Sequence, residues 1–191
     1  RSPLLDYTLS SIRSQTIDKS ILQVIVADDG SSDDTRAVAE SYRAHFTTDY
    51  FFQEDKGYRV ASARNMGIEN ATGQIVVFID SGVVLTPGCL KAHLDAHTAS
   101  PSDLAVIGYV FAIEHDHVNH DFLIRHIDIS EPGKTTAFFQ EKEAYLDIRE
   151  EIYKICDNQL DQLPAPWVLF WTGNVSVKRT NLLQAGLFDS N

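Results

Sequence analysis

The chain has 191 residues, 43% hydrophobic and 23% charged, which is enough apolar material for one buried core and leaves no long polar tract to stay disordered. A net charge of −11 argues against a nucleic-acid surface, and no apolar run approaches the roughly 18 residues that span a bilayer. Cys89 and Cys156 stand far apart, in neither a metal-ligand nor a CxxC spacing, and read as reduced thiols of a cytoplasmic or cytoplasm-facing protein.

Ser2-Pro3 opens a helix, with Ser2 as its cap and Pro3 at the first helical position. Leu4, Leu5, Leu9 and Ile12 recur at helical spacing and carry it to about Gln15. Ile21 to Ala27 is an apolar run of the central-strand kind, and it ends in Asp28-Asp29-Gly30. A helix follows from Thr35, with Ser32 or Asp33 to cap it. Asp49 to Gln53 is a short aromatic edge strand, and Tyr58 to Ala71 a helix carrying Arg59, Arg64 and Asn65.

Ile75 to Ile79 is five β-branched or aromatic residues in a row, the pattern of a strand buried on both faces. It runs into Asp80-Ser81-Gly82. Thr86-Pro87 announces another helix, to about His97, and Leu104 to Ile113 another strand. Helix and strand therefore alternate four times, which predicts an α/β fold with a largely parallel sheet. Beyond Glu114 the pattern loosens. His115, His117, His120 and His126 fall here, in a spacing that fits no compact metal motif, followed by a charged helix from Phe139 to Ile155. The chain becomes apolar again around Trp171-Thr172-Gly173-Asn174, and a short helix covers Arg179 to Gly186.

In open α/β sheets ligands bind outside the carboxyl ends of strands. Two such ends carry acids, Asp28 with Asp29 and then Asp80. Between them lies a basic stretch with Lys56, Gly57, Arg59, Arg64 and Asn65. Acids suit ribose hydroxyls, base N–H groups or a cation, and Arg and Lys suit phosphate, so the set describes a nucleoside diphosphate pocket. Neither a dinucleotide Gly-rich fingerprint nor a Walker A loop is present.

The run Val24 to Thr35, with Asp28-Asp29-Gly30-Ser31-Ser32-Asp33-Asp34, resembles the nucleotide-binding signature of family-two glycosyltransferases with the GT-A fold. Gly57, Ala61, Ala63-Arg64-Asn65 and Gly67 are similar to that family's next block, and Ile75 to Gly82 falls where its Asp-X-Asp motif falls. Trp171 to Ser176, with Arg179 and Gly186-Leu187-Phe188-Asp189, is similar to its later Gly-Asn block. The flavour is that of galactosyl- and N-acetylgalactosaminyl-transferring members, chondroitin-polymerase-like domains among them.

The resemblance implies a Rossmann-like GT-A domain over 1–191, with a nucleotide-binding half over 1–113 and an acceptor and donor-sugar half over 114–191. It implies inverting transfer of a sugar from a UDP-sugar to a hydroxyl of a glycan or another acceptor. Asp28, Asp29, Arg64, Asn65, Asp80 and Ser81 would hold the donor nucleotide, and Trp171, Gly173 and Asn174 the donor sugar or acceptor. It also implies Mg²⁺ or Mn²⁺ at Asp80, although Gly82 replaces the usual metal-binding aspartate and a lone carboxylate is a weak ligand. Arg1 reads as mid-protein sequence, and the resemblance places the catalytic base beyond Asn191, so no catalytic residue is assigned. A nucleotide- or glycan-binding pseudoenzyme and a nucleotidyltransferase remain the alternatives.

Overall fold

Helices and strands alternate through the first part of the chain in the predicted order: α1 (Ser2–Arg13), β1 (Gln23–Asp29), α2 (Thr35–Ser41), β2 (Thr47–Gln53), α3 (Val60–Asn70), β3 (Ile75–Ile79), α4 (Cys89–Ala99) and β4 (Ala105–Ile107). Then follow α5 (Pro132–Gln140), α6 (Glu150–Ile155), β5 (Asn174–Lys178) and α7 (Arg179–Gln184). The structure is a computed structural model describing residues 1–111, 125–128, 130–142 and 146–190. Of the four clustered histidines, His115, His117 and His120 lie outside the described residues, and the His126 ring stacks on Phe138 at 4.6 Å.

The α/β class stands, and the strands pair in two ways. β1 and β2 are parallel, while β5 lies antiparallel between β3 and β4. Leu5, Leu9 and Ile12 of α1 pack with Val24, Ala39, Tyr42, Phe46, Leu85 and Leu90 as the core.

Several boundaries differ from the sequence expectation. Helix α1 already includes Ser2, because Asp33 caps it from another loop: its Oδ2 accepts the Ser2 N–H at 2.8 Å. The other oxygen of Asp33 accepts the Thr35 N–H at 3.2 Å at the head of α2. Strand β1 starts two residues late and includes both acids, since its ladder runs on to pair Asp28 with Phe52 and Asp29 with Gln53. Ile21 instead sits in a one-turn helix and is exposed. Strand β3 is half-buried throughout rather than enclosed: it lies at the edge of its three-stranded sheet, paired with β5 on one side. Strand β4 stops near Ile107: the Gly108 N–H still reaches the Asn174 carbonyl of β5 at 2.8 Å, but the Val110 N–H turns to the Asp147 carboxylate at 3.0 Å. The single helix expected from Phe139 to Ile155 is two helices, α5 ending at Gln140 and α6 starting at Glu150.

The loop after β3 is held by a polar stripe on the buried face of α1. Thr8 Oγ1 accepts the Gly82 N–H at 2.9 Å, and Ser11 Oγ accepts the Leu85 N–H at 3.0 Å. Gln15 accepts the Leu90 N–H at 3.0 Å and donates to the Thr86 carbonyl at 2.8 Å. Thr8 and Ser11 share one face of α1, and the turn just past its end brings Gln15 into line with them. Gln15→Leu strands a buried N–H and a carbonyl together, so it should destabilise the fold by about 1–3 kcal/mol. Urea unfolding should show a lower midpoint at unchanged slope; a wild-type midpoint would mean that the loop is anchored elsewhere.

Candidate functional site

At the carboxyl end of β1 the two acids are tied to different neighbours. Asp28 is buried; it accepts the Ser31 N–H at 2.8 Å and the Tyr50 hydroxyl at 2.6 Å. Burial, with the Asp28 carboxylate beside it, pushes the Tyr50 phenol well above its ordinary value, so it stays a donor. Asp29 accepts Gln53 Nε2 at 2.6 Å and the Arg59 N–H at 2.9 Å. That second bond places a carboxylate at the positive end of α3. Gly30 turns the chain with φ +85°, and a Cβ there would meet the Asp55 backbone at 2.6 Å, so only glycine fits.

Helix α3 then carries Arg64 to the end of β3, where its Nη2 lies 3.3 Å from Asp80 Oδ1. Asp80 is half exposed, and its N–H donates to the Gly173 carbonyl at 3.4 Å. Both side chains line a cavity of about 720 Å³, together with Ser81, Gly82, Tyr109, Asp128, Arg149, Trp171, Gly173 and Asn174. The structure thus brings together six of the predicted residues, Arg64, Asp80, Ser81, Trp171, Gly173 and Asn174. Asp28, Asp29 and Asn65 are not in that wall. Asn65 is occupied: its amide donates to the Phe188 carbonyl at 2.8 Å and accepts the Phe188 N–H at 2.9 Å, clamping the segment after α7 onto α3. The Phe188 ring joins the cavity wall, with the Arg64 guanidinium 5.9 Å from its centre.

Sequence reasoning missed the charged pair under this cavity. Arg149 and Asp147 are both almost fully buried and joined at 2.6 and 2.8 Å. Arg149 also donates to the carbonyls of Leu169 at 3.3 Å and Gly108 at 3.2 Å, and its guanidinium faces the Trp171 ring at 5.5 Å. Burial works against the charged carboxylate, but the Arg149 bonds override it and hold the Asp147 carboxyl below its ordinary value. Tyr109 donates to Glu150 at 2.8 Å, and burial pushes its phenol up to about 12. Two charges one residue apart in a polar stretch look like solvated surface; only the chain folding around them reveals the pair.

Under β5 lies a second buried polar group. His93 and His97, one turn apart on α4, both reach Ser176 Oγ, at 2.8 and 2.9 Å. His93 also meets Asn174 Oδ1 at 3.0 Å, and Cys89 Sγ lies 3.8 Å from the same oxygen. Burial lowers both imidazoles below the ordinary 6.5, for His93 with His97 adding and for His97 with Lys178 adding. Unfolded, these histidines take up protons as pH falls through about 6.5; folded, they stay neutral to lower pH. The unfolded state then binds more protons, so stability is full above about 6.5 and declines below it. Urea midpoints at pH 7.5 and 5.5 should fall in that order, and His93→Gln should flatten the difference; an equal slope in the variant would acquit His93.

The metal expectation meets a sparse donor set. Among the described residues no group of three or more His, Cys, Asp or Glu could hold a metal ion. Asp80 offers one carboxylate, already paired with Arg64. Gly82 has φ +102°, where an aspartate would be strained although the nearest atom, on Leu4, is 3.7 Å from a Cβ. The residues therefore do not form a protein-built Mg²⁺ or Mn²⁺ site.

Comparison with known proteins bears on the family and the fold. The validoxylamine A glucosyltransferase of Streptomyces hygroscopicus subsp. jinggangensis is 34% identical over 191 residues, all of this chain and 45% of the relative. The Escherichia coli chondroitin synthase is 28% identical over 197 residues, covering 99% of this chain and 28% of the relative. The chain thus spans less than half the length of these curated relatives. In fold it is similar to the mannosyltransferase PcManGT of Pyrobaculum calidifontis in complex with GDP-Man and Mn²⁺, with a TM-score of 0.57 at 21% identity, covering 100% of this chain and 45% of that one. It is also similar to S. aureus TarS 1-349 in complex with UDP-GlcNAc, with a TM-score of 0.51 at 24% identity, over 61% of this chain and 33% of that one. The model of the family described as Glycosyl transferase family 2 matches residues 1–150, and the chain belongs to that family.

Proposed function

We propose that the cavity receives the diphosphate and sugar of a UDP-sugar, and that the protein transfers the sugar, with inversion, to a hydroxyl of a glycan or other acceptor. The observation that carries this is the Arg64–Asp80 pair at the carboxyl end of β3, set in the cavity wall at 3.3 Å. A guanidinium there neutralises a diphosphate, and Asp80 holds it in place. The Asp28 and Asp29 carboxylates at the β1 end keep lone pairs for ribose hydroxyls or a base N–H. The wall draws on 64–111 and on 127–188, which supports a nucleotide half over 1–113 and an acceptor half over 114–191.

In the transfer, the acceptor hydroxyl oxygen attacks the anomeric carbon as the bond from that carbon to the phosphate oxygen breaks, and the hydroxyl proton passes to a general base, a role given to no residue of this chain. Charge builds on the departing UDP, where Arg64 stabilises it more than in the ground state. Asp80 would hold a divalent ion only together with the phosphates of the nucleotide, and such an ion would supply further charge neutralisation to the departing diphosphate. Both cysteines are free, and no described helix is long and apolar enough to cross a membrane; the free thiols support a cytoplasmic setting.

Calorimetric titration with UDP, with and without Mn²⁺, tests the reading. Saturable UDP binding is expected, while Mn²⁺ without UDP should give no heat of binding. No UDP binding in either condition would remove the nucleotide assignment. A binding-only protein would bind UDP-sugars without releasing UDP in the presence of any acceptor.

A further inference from the structure

Asn174, the first residue of β5, is 7% exposed and forms part of the cavity wall. Its Oδ1 is engaged by His93 Nε2 and Cys89 Sγ. Among the described residues its Nδ2 has no hydrogen-bond partner, and a Cβ on Gly108 would lie 2.1 Å from that nitrogen, so the backbone has been cleared to let it pass. The nitrogen is not fully buried, so its two N–H groups are open to water or to an acceptor on a ligand in the cavity.

The direction of the hydrogen-bond chain beneath explains why the amide points this way. Ser176 has one proton and meets two ring nitrogens, His93 Nδ1 and His97 Nε2. If His97 Nε2–H donates to Ser176, the Ser176 hydroxyl donates to His93 Nδ1, and His93 must carry its proton on Nε2. That proton demands an acceptor, which is Asn174 Oδ1, and Nδ2 is left as the open end of the amide. The opposite direction would leave an N–H on His97 Nδ1, a buried atom with no partner, and the N–H is the costlier orphan. It would also give the Cys89 thiol an N–H₂ group in place of its acceptor. Neither histidine is in the cavity wall.

We propose that the His97–Ser176–His93 chain fixes the Asn174 amide as a hydrogen-bond donor to a hydroxyl or carbonyl oxygen of the transferred sugar, with His93 as the positioning residue. This rests on the UDP-sugar reading of the cavity, and two measurements separate them. The first is ¹⁵N-histidine NMR of the wild-type chain. His93 should be protonated at Nε2 with a bare Nδ1; the opposite tautomer overturns the proposal, and no variant is needed.

The second is titration of wild type, His93→Phe and His93→Gln with UDP, UDP-glucose, UDP-galactose and UDP-N-acetylglucosamine. Phenylalanine keeps the ring but loses the donor; glutamine restores an N–H near the Nε2 position. For the sugar nucleotide that wild type binds, His93→Phe should lower affinity about tenfold, the equivalent of ~1.4 kcal/mol, while UDP affinity stays within about twofold. His93→Gln should recover most of the loss. Equal weakening of UDP and UDP-sugar, or no weakening of either, overturns the positioning role. Wild type that binds UDP and none of the sugar nucleotides overturns the sugar contact and leaves the nucleotide reading standing. Wild type that binds nothing removes both.

Discussion

Arg149→Met should destabilise the fold by about 3–5 kcal/mol, the cost of leaving a buried carboxylate without its cation. Asp147 keeps the N–H groups of Val110 and Arg149, at 3.0 and 2.9 Å, but loses the two short guanidinium bonds. The carbonyls of Leu169 and Gly108 lose a donor as well. In a domain of this size about 1 kcal/mol moves the melting temperature by roughly 2–4 °C, so a drop of at least about 6 °C is expected by calorimetry. The double variant Asp147→Leu with Arg149→Met removes both charges and should recover part of that loss, because the penalty lies in the unpaired charge more than in the missing bond. If the single variant melted with wild type, the pair would be far better hydrated than its 2% and 0% side-chain exposure implies. The same substitution withdraws the cation from the Trp171 ring, so sugar-nucleotide affinity should fall with it.

Asp29→Ala should weaken UDP binding at least tenfold and keep the fold. The carboxylate is partly exposed at the end of β1, and its loss frees the Arg59 N–H at the head of α3, a capping loss of about 0.5–2 kcal/mol. Asp28→Ala differs, because Asp28 is buried and holds both the Ser31 N–H and the Tyr50 hydroxyl. It should lose UDP affinity and stability together. Calorimetric titration alongside circular dichroism separates the two cases. Wild-type UDP affinity in both variants would show that the acids at the β1 end are scaffold for the loop and for α3.

What shows in the sequence and what does not follows the range of the interactions involved. The alternation of elements was legible because it is local: apolar runs of five to seven residues, cap residues and turn glycines each act within one turn or one strand. The two acid-bearing strand ends were legible for the same reason, since a buried run leading into Asp28-Asp29 or Asp80 carries its own direction. Arg64 and Asp80 both stand out in the sequence, but their pairing at 3.3 Å needs α3 packed along β1 and β2. Asn65 looked like a ligand residue and is a clamp on Phe188, 123 positions away in the chain. Nothing near Asn65 in the sequence announces that partner.

The sequence by itself determined the family, the α/β class and the acid-bearing strand ends, because these follow from periodicity and from short motifs with their own backbone geometry. Only the tertiary structure decided which polar residues serve the fold and which face the cavity. The stripe of Thr8, Ser11 and Gln15, the Asp147–Arg149 pair and the chain from His97 to Asn174 all join residues that are neighbours only after folding. A buried polar group must find its partner wherever the packed chain brings one, and sequence spacing holds no record of that meeting.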